Sequence, residues 1–199
     1  MTLPRRFYER SPRVVARDLL GCIVISRAGR VVTAGRIVET EAYLGPEDAA
    51  SHAAIRPIAA RSNLYGEAGR AYVFRIYGMH FCLNAVTRPA GQPGCVLIRA
   101  LEPLAGLRAM ARRRSVPAGS REIADGPGKL TQALGITDRQ NGADLTDGTL
   151  VIAPPDAPRD FRIATGPRIG ITRDTALPLR FWIRGNGFVS RRGGGNLLA

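Results

Sequence analysis

Lysine is almost missing from this chain: among 29 basic residues only Lys129 is a lysine, and the rest are arginine. Any chemistry that needs an amine nucleophile is therefore confined to Lys129 and the N-terminal amine. Cysteine is scarce as well, and Cys22, Cys82 and Cys95 are odd in number and isolated within apolar runs. That excludes a disulfide framework and a C-x-x-C metal cradle, and leaves buried free thiols suited to a reducing cytoplasm. With His52 and His80 as the only histidines and no H-E-x-x-H pattern, a catalytic zinc has few ligands, so neither metal nor cofactor is expected. No apolar run approaches the length of a membrane span, and the opening MTLPRRFYERSP has no apolar signal core. The expectation is a cytoplasmic protein with no membrane association.

Acid is also under-represented: 16 acidic residues against 29 basic ones give a formal net charge of +13. A polyanion is the natural partner of such a surface, and nucleic acid is the leading candidate. Two other sources of arginine remain open, codon bias in a GC-rich genome and attraction to anionic membrane surfaces. The 199 residues, 45% of them hydrophobic, suffice for one well-packed domain. No internal repeat or low-complexity linker divides them.

Ser11-Pro12 opens a helix, with Ser as N-cap, that Gly21 closes. Strands are predicted over 22–26 and 31–43, then a long functional loop over 44–70 with one short helix, carrying His52. Residues 71–76 and 80–86 read as a hairpin across Tyr77-Gly78-Met79, where Gly suits a type II′ turn. Next come an apolar strand over 95–101 broken by the charge of Arg99, a helix over 103–114 and a mobile loop over 115–124. A helix starting at Asp125-Gly126-Pro127 runs through Leu134 to Gly135, with Lys129 in its first turn. Turns at Asn141-Gly142 and Asp147-Gly148 precede the last strand candidates, 168–171 and 179–184. The result is one α+β domain over 1–190 with a flexible basic, Gly-rich tail at 191–199.

The chemistry concentrates early. In a strand Glu39, Glu41 and Tyr43 share a face, with the carboxylate-bearing Cα atoms roughly 7 Å apart. Like charges that close push one pKa up, which suits acid–base work, although a solvated strand face has the same pattern. Arg99, in the middle of an apolar strand, needs a partner if buried, and Glu41 is a candidate. Tyr77 and Met79 at a hairpin tip on a basic protein could wedge between base steps in a minor groove, or simply decorate a hairpin.

The segments GRIVETEAYLGPEDAASHA, YVFRIYGMHFCLN, VLIRALEPL and GPGKLTQALGI, in this order, resemble the alkyladenine (3-methyladenine, alkylpurine) DNA glycosylase family, over roughly residues 5 to 190. The resemblance implies an α+β fold around a curved antiparallel sheet with flanking helices and a protruding hairpin. It also implies a monofunctional glycosylase that flips damaged purines from double-stranded DNA, for which a monomer suffices, and DNA binding of this kind places the protein at the nucleoid. On this resemblance Glu41 is the general base for the attacking water, which Arg99 and the backbone carbonyl of Ile169 help to hold. Tyr43, His52 and Phe74 line the base pocket, and Asn84 screens purine exocyclic groups. Tyr77 fills the gap left by the flipped nucleotide, and Met79 and His80 lie along the minor groove; Lys129, from its place in the first turn of a helix, is suited to meet a phosphate. Phe74 and His80 stand where the vertebrate members carry tyrosine, so a phenolic hydrogen bond is lost while stacking is kept.

Two rival readings stay in view. A non-catalytic binder of distorted DNA shares the charge and the hairpin but leaves Glu41 idle; a hydrolase on another glycoside would use Glu39 and Glu41 as a carboxylate pair but leaves the charge unexplained. The shortage of amines predicts that no Schiff base forms with a DNA sugar. Borohydride is expected to trap no covalent protein–DNA adduct; an adduct at Lys129 or at the N-terminus would overturn this.

Overall fold

The spine of the structure, a computed structural model that describes residues 1–55 and 63–190, is the long strand β2 (Thr33–Tyr43). It pairs along its length with β5 (Cys95–Ala105). Its other edge is shared by β1 (Ile23–Ser26), along the first half, and β8 (Arg180–Ile183), along the second. Beyond β5 the sheet continues through β4 (His80–Val86) to β3 (Ala71–Ile76). Beyond β1 lies β6 (Leu150–Ala153), and beyond β8 lies β7 (Ile163–Gly166). All these pairings are antiparallel, and together they make one curled sheet. Both edges of β2 are paired, and among its residues only Arg36 is not buried.

Five short helices accompany the sheet among the described residues: α1 (Arg5–Tyr8), α2 (Pro12–Asp18), α3 (His52–Ile55), α4 (Leu107–Arg114) and α5 (Pro127–Leu134). Helix α2 packs on β2 and β5, and α5 on β4 and β5 with α4 beside it. They cover one face of the sheet, where Leu19, Leu20, Ile37, Val38, Leu83, Ile98, Leu101, Met110 and Leu130 form the main core. A smaller apolar cluster gathers Tyr43, Tyr72, Cys82, Cys95 and Leu97 on the opposite face. Strand alternation sorts residues between the two: Leu83 and Ala85 face the helices, while Cys82 and Val86 face away.

Two register shifts break this alternation where the charges lie. Ile37 pairs with Leu101 and Glu39 with Ala100, which leaves Val38 as an extra residue in β2. Thr40 then pairs with Ile98, which leaves Arg99 as the extra residue in β5. Ile37 and Val38 can consequently both enter the main core, while Glu39 and Arg99 turn toward the other face.

Several local expectations need correction. Ser11 makes no side-chain cap; only its backbone carbonyl accepts, from Val14 and Val15. Pro103 lies within β5, opposite Gly35 at a bulge where no ladder donor is required, so the helix starts later, at Leu107. The loop over 115–124 is anchored rather than mobile, since Ile123 and Ala124 are buried and the Ala124 carbonyl accepts from the Leu101 N–H at 3.0 Å. Residues 168–171 are irregular, and the strand falls at β7 instead. The tail at 191–199 lies outside the described residues.

Gly106, at φ 73, links β5 to α4, and a Cβ there would sit 2.5 Å from the Val32 carbonyl oxygen. Backbone cannot yield as a side-chain tip can, and the left-handed conformation adds strain. Gly106→Ala is expected to cost about 2–3 kcal/mol of stability, read as a lower urea midpoint at unchanged slope.

Candidate active site

Strand register aligns the residues of the site. Tyr72 on β3 faces Asn84 on β4, Asn84 faces Leu97 on β5, and Leu97 faces Glu41 on β2, so these four form one row across the sheet. The neighbouring row runs Val86, Cys95, Tyr43, and Phe74 pairs with Cys82 on the far side of Tyr72. Directly paired residues project to the same face. Helix α3 brings His52 over this floor, with its Nδ1 2.9 Å from the Tyr72 hydroxyl and its ring centroid 4.4 Å from that of Phe74. Tyr72 and Phe74 are themselves 5.3 Å apart, centroid to centroid.

The result is a narrow slot lined by Tyr43, Ala50, His52, Tyr72, Phe74, Cys82, Asn84, Cys95 and Leu97. Its walls are mostly apolar and aromatic, as suits a flat heterocycle. The amide of Asn84 supplies a polar edge; it is held by donating to the Tyr72 carbonyl at 3.0 Å and by a weak contact with the Cys95 thiol at 3.8 Å.

At the Tyr43 end stands a buried charge network. Glu41 Oε1 accepts from the Ile169 N–H at 2.7 Å, and Oε2 accepts from the Tyr43 hydroxyl at 3.0 Å. Arg99 lies between the carboxylates, Nη1 3.2 Å from Glu41 and Nε 3.4 Å from Glu39. Neither nitrogen has a hydrogen-bond partner in good geometry among the described residues. Glu39 accepts from Arg180 Nε at 2.5 Å and from the Ser190 N–H at 2.8 Å. Burial works against the charge on Arg99, but Glu41 and Glu39 outweigh it and hold the guanidinium protonated. Burial and the nearby Glu41 push the Tyr43 hydroxyl well above its usual range, so it remains a donor.

The structure thus brings Glu41, Arg99, Ile169, Tyr43, His52, Phe74 and Asn84 together. It is the Ile169 amide, through its N–H, that touches Glu41, whereas the sequence-based expectation concerned its carbonyl. The hairpin residues stand apart from the slot. Tyr77 and Met79 are 53% and 72% exposed, at a turn closed by the Met79 N–H to the Ile76 carbonyl at 3.2 Å. Tyr77 (φ 50) and Gly78 (φ 69) are both left-handed, which corrects the expected type II′ turn to the type I′ pattern. His80 leans on α5, where a Cβ on Gly128 would come within 3.0 Å of it. Lys129, expected to be available to a phosphate, donates to Asp125 at 2.8 Å and keeps 40% of its side chain exposed. No group of three His, Cys, Asp or Glu side chains among the described residues is placed to hold a metal. No described helix is long and apolar enough to cross a membrane.

The family model described as "Methylpurine-DNA glycosylase (MPG)" matches residues 6–187. This chain belongs to the methylpurine-DNA glycosylase family. A Koribacter versatilis protein named "Putative 3-methyladenine DNA glycosylase" is 49% identical over 192 residues, covering 94% of this chain and 92% of its own. Relatives of the same name from Methanoculleus marisnigri, 49% identical over 96% of this chain and 100% of theirs, and from Anaeromyxobacter dehalogenans, 44% over 96% and 87%, extend the match.

Sequence reasoning about this glycosylase missed four residues that shape the site. Tyr72 and Cys82 were reachable by alternation, each two positions from a predicted residue, Phe74 and Asn84. Asp48 and Arg168, which form a buried ion pair beneath Tyr43, had no such signal.

Burial pushes the thiols of Cys82 and Cys95 up from 9.0 to about 12, and that of Cys22 to about 11. An unfolded chain starts to lose these protons near pH 9, whereas the folded chain keeps them, so stability falls as pH rises through this window. Tm is expected to drop between about pH 8 and about pH 10.5, with a shallower slope in Cys82→Ala/Cys95→Ala. Equal slopes would exclude the thiols as the cause.

Proposed function

We propose that this chain flips an alkylated or deaminated purine, such as 3-methyladenine, 7-methylguanine or hypoxanthine, from duplex DNA and hydrolyses its N-glycosidic bond. The observation that carries this reading is the position of Glu41, a buried carboxylate oriented by the Ile169 N–H and the Tyr43 hydroxyl beside an aromatic slot. The extruded base stacks among Tyr43, His52, Phe74 and Tyr72, with the Asn84 amide reading its edge. Tyr77, on its exposed tip, takes the place of the base in the duplex, and Met79 and His80 follow the minor groove. Lys129 reaches a phosphate only by giving up part of its pairing with Asp125.

In the chemical step a water oxygen attacks C1′ as the bond to the purine nitrogen breaks, and the bonding electron pair leaves with the base. Glu41 takes the water proton. Arg99 has donors to spare for that water beside Glu41, and the Ile169 carbonyl is a further acceptor. A purine methylated at N3 or N7 departs as a neutral base, so for these substrates positioning and stacking are the main requirements. The product is an abasic site, with no strand cleavage, and a monomer suffices for one lesion.

Single-turnover release from duplexes carrying 7-methylguanine or hypoxanthine tests the assignment. Wild type is expected to release the base and Glu41→Gln to be slower by about 10²–10⁴, with binding retained at matched salt. Binding without release by wild type would instead favour a non-catalytic sensor of distorted DNA.

A further inference from the structure

Asp48 and Arg168 form an ion pair in which both side chains are 0% exposed. Arg168 Nη1 and Nη2 grip the two carboxylate oxygens at 2.6 and 2.8 Å, and Nη1 also donates to the Ala42 carbonyl at 3.1 Å. The same carboxylate accepts from the N–H groups of Leu44, at 3.0 Å, and Ala50, at 3.1 Å. One pair therefore ties together the end of β2, the loop that delivers His52 and the loop that delivers Ile169 to Glu41. Apolar side chains of similar volume would often serve stability as well as a buried pair does, so stability alone does not account for it.

The guanidinium of Arg168 lies over the Tyr43 ring, 4.7 Å from its centroid. Tyr43 lines the slot, whereas Arg168, packed on one face of its ring, does not. A cation on one face of an aromatic ring draws on the π density that would attract a second cation on the other. The carboxylate of Asp48, gripped by the same guanidinium, offsets that withdrawal.

Resting on the purine-excising function proposed above, we infer that Asp48 and Arg168 are positioning residues that set, through Tyr43, how strongly the slot favours cationic purines over neutral ones. Breaking the pair loosens the Ile169 loop and slows every substrate. Which partner is removed decides which substrate suffers more. Without the aspartate charge the bare guanidinium weakens the hold on a cationic base; without the guanidinium the ring regains its full attraction for one.

The test is single-turnover release of 7-methylguanine, a cationic base, and hypoxanthine, a neutral one, by wild type, Asp48→Asn and Arg168→Gln, with enzyme below saturation so that the hold on the flipped base enters the observed rate. The cationic-to-neutral rate ratio is expected to fall about threefold in Asp48→Asn and to rise about threefold in Arg168→Gln. A merely structural pair would slow both lesions by the same factor, so ratios that stay fixed, or that move in the same direction, overturn the inference. If either single variant fails to fold, Asp48→Asn/Arg168→Gln, which leaves no lone buried charge, is read instead. Its ratio rises because the guanidinium is gone, and an unchanged or lower ratio overturns the inference. Wild type that releases neither base would bring down the proposed function itself, whereas wild-type release with invariant ratios brings down only the role of this pair.

Discussion

Charge balance in a dry interior is the constraint on which this structure turns. Glu39 and Glu41 have no exposed surface, and carboxylates can be buried that completely only if cations and donors are buried with them. Arg99 and Arg180 supply the cations, while the N–H groups of Ile169 and Ser190 supply donors from two remote segments. The bulges in β2 and β5 follow from the same requirement. Regular pairing would put Ile37 on the face of Glu39, whereas the extra residues Val38 and Arg99 send Ile37 to the main core and bring the guanidinium between the two carboxylates.

The two carboxylates, identical in chemistry and two positions apart, are treated differently by their surroundings. Glu39 is tied to Arg180 and to the Ser190 N–H, with Arg99 alongside, which fits a structural anchor. Glu41 is fixed from behind by a backbone amide and from the side by a tyrosine that also walls the slot. An acceptor held this way need not reorganise in order to take up a proton.

What the sequence disclosed and what it hid divide along physical lines. β2, the β3–β4 hairpin and α5 were legible because strand composition, a central glycine, and Pro127 with Gly135 are local signals. The segment 168–171 read as a strand from its isoleucines, yet it is irregular because Arg168 is drawn to Asp48, 120 positions away in the chain. Pro103 read as a helix start, and only its pairing with Gly35 reveals a strand. Within the site, Glu41, Tyr43, His52, Phe74, Asn84 and Arg99 came from motif and resemblance. Tyr72 and Cys82 needed only the two-residue period carried further. The register shifts and the pairing of Asp48 with Arg168 depend on tertiary partners and had no local trace.

Cys82 and Cys95 in the slot carry a last consequence. Methylating electrophiles attack nucleophilic sulfur, and two of the residues that line the slot are cysteines. The thiolate is the reactive form. With both thiols pushed up to about 12, the thiolate fraction at neutral pH is on the order of 10⁻⁵, roughly a thousandfold below that of an unburied thiol. Burial in the walls of the slot thus disfavours the reactive form of both thiols.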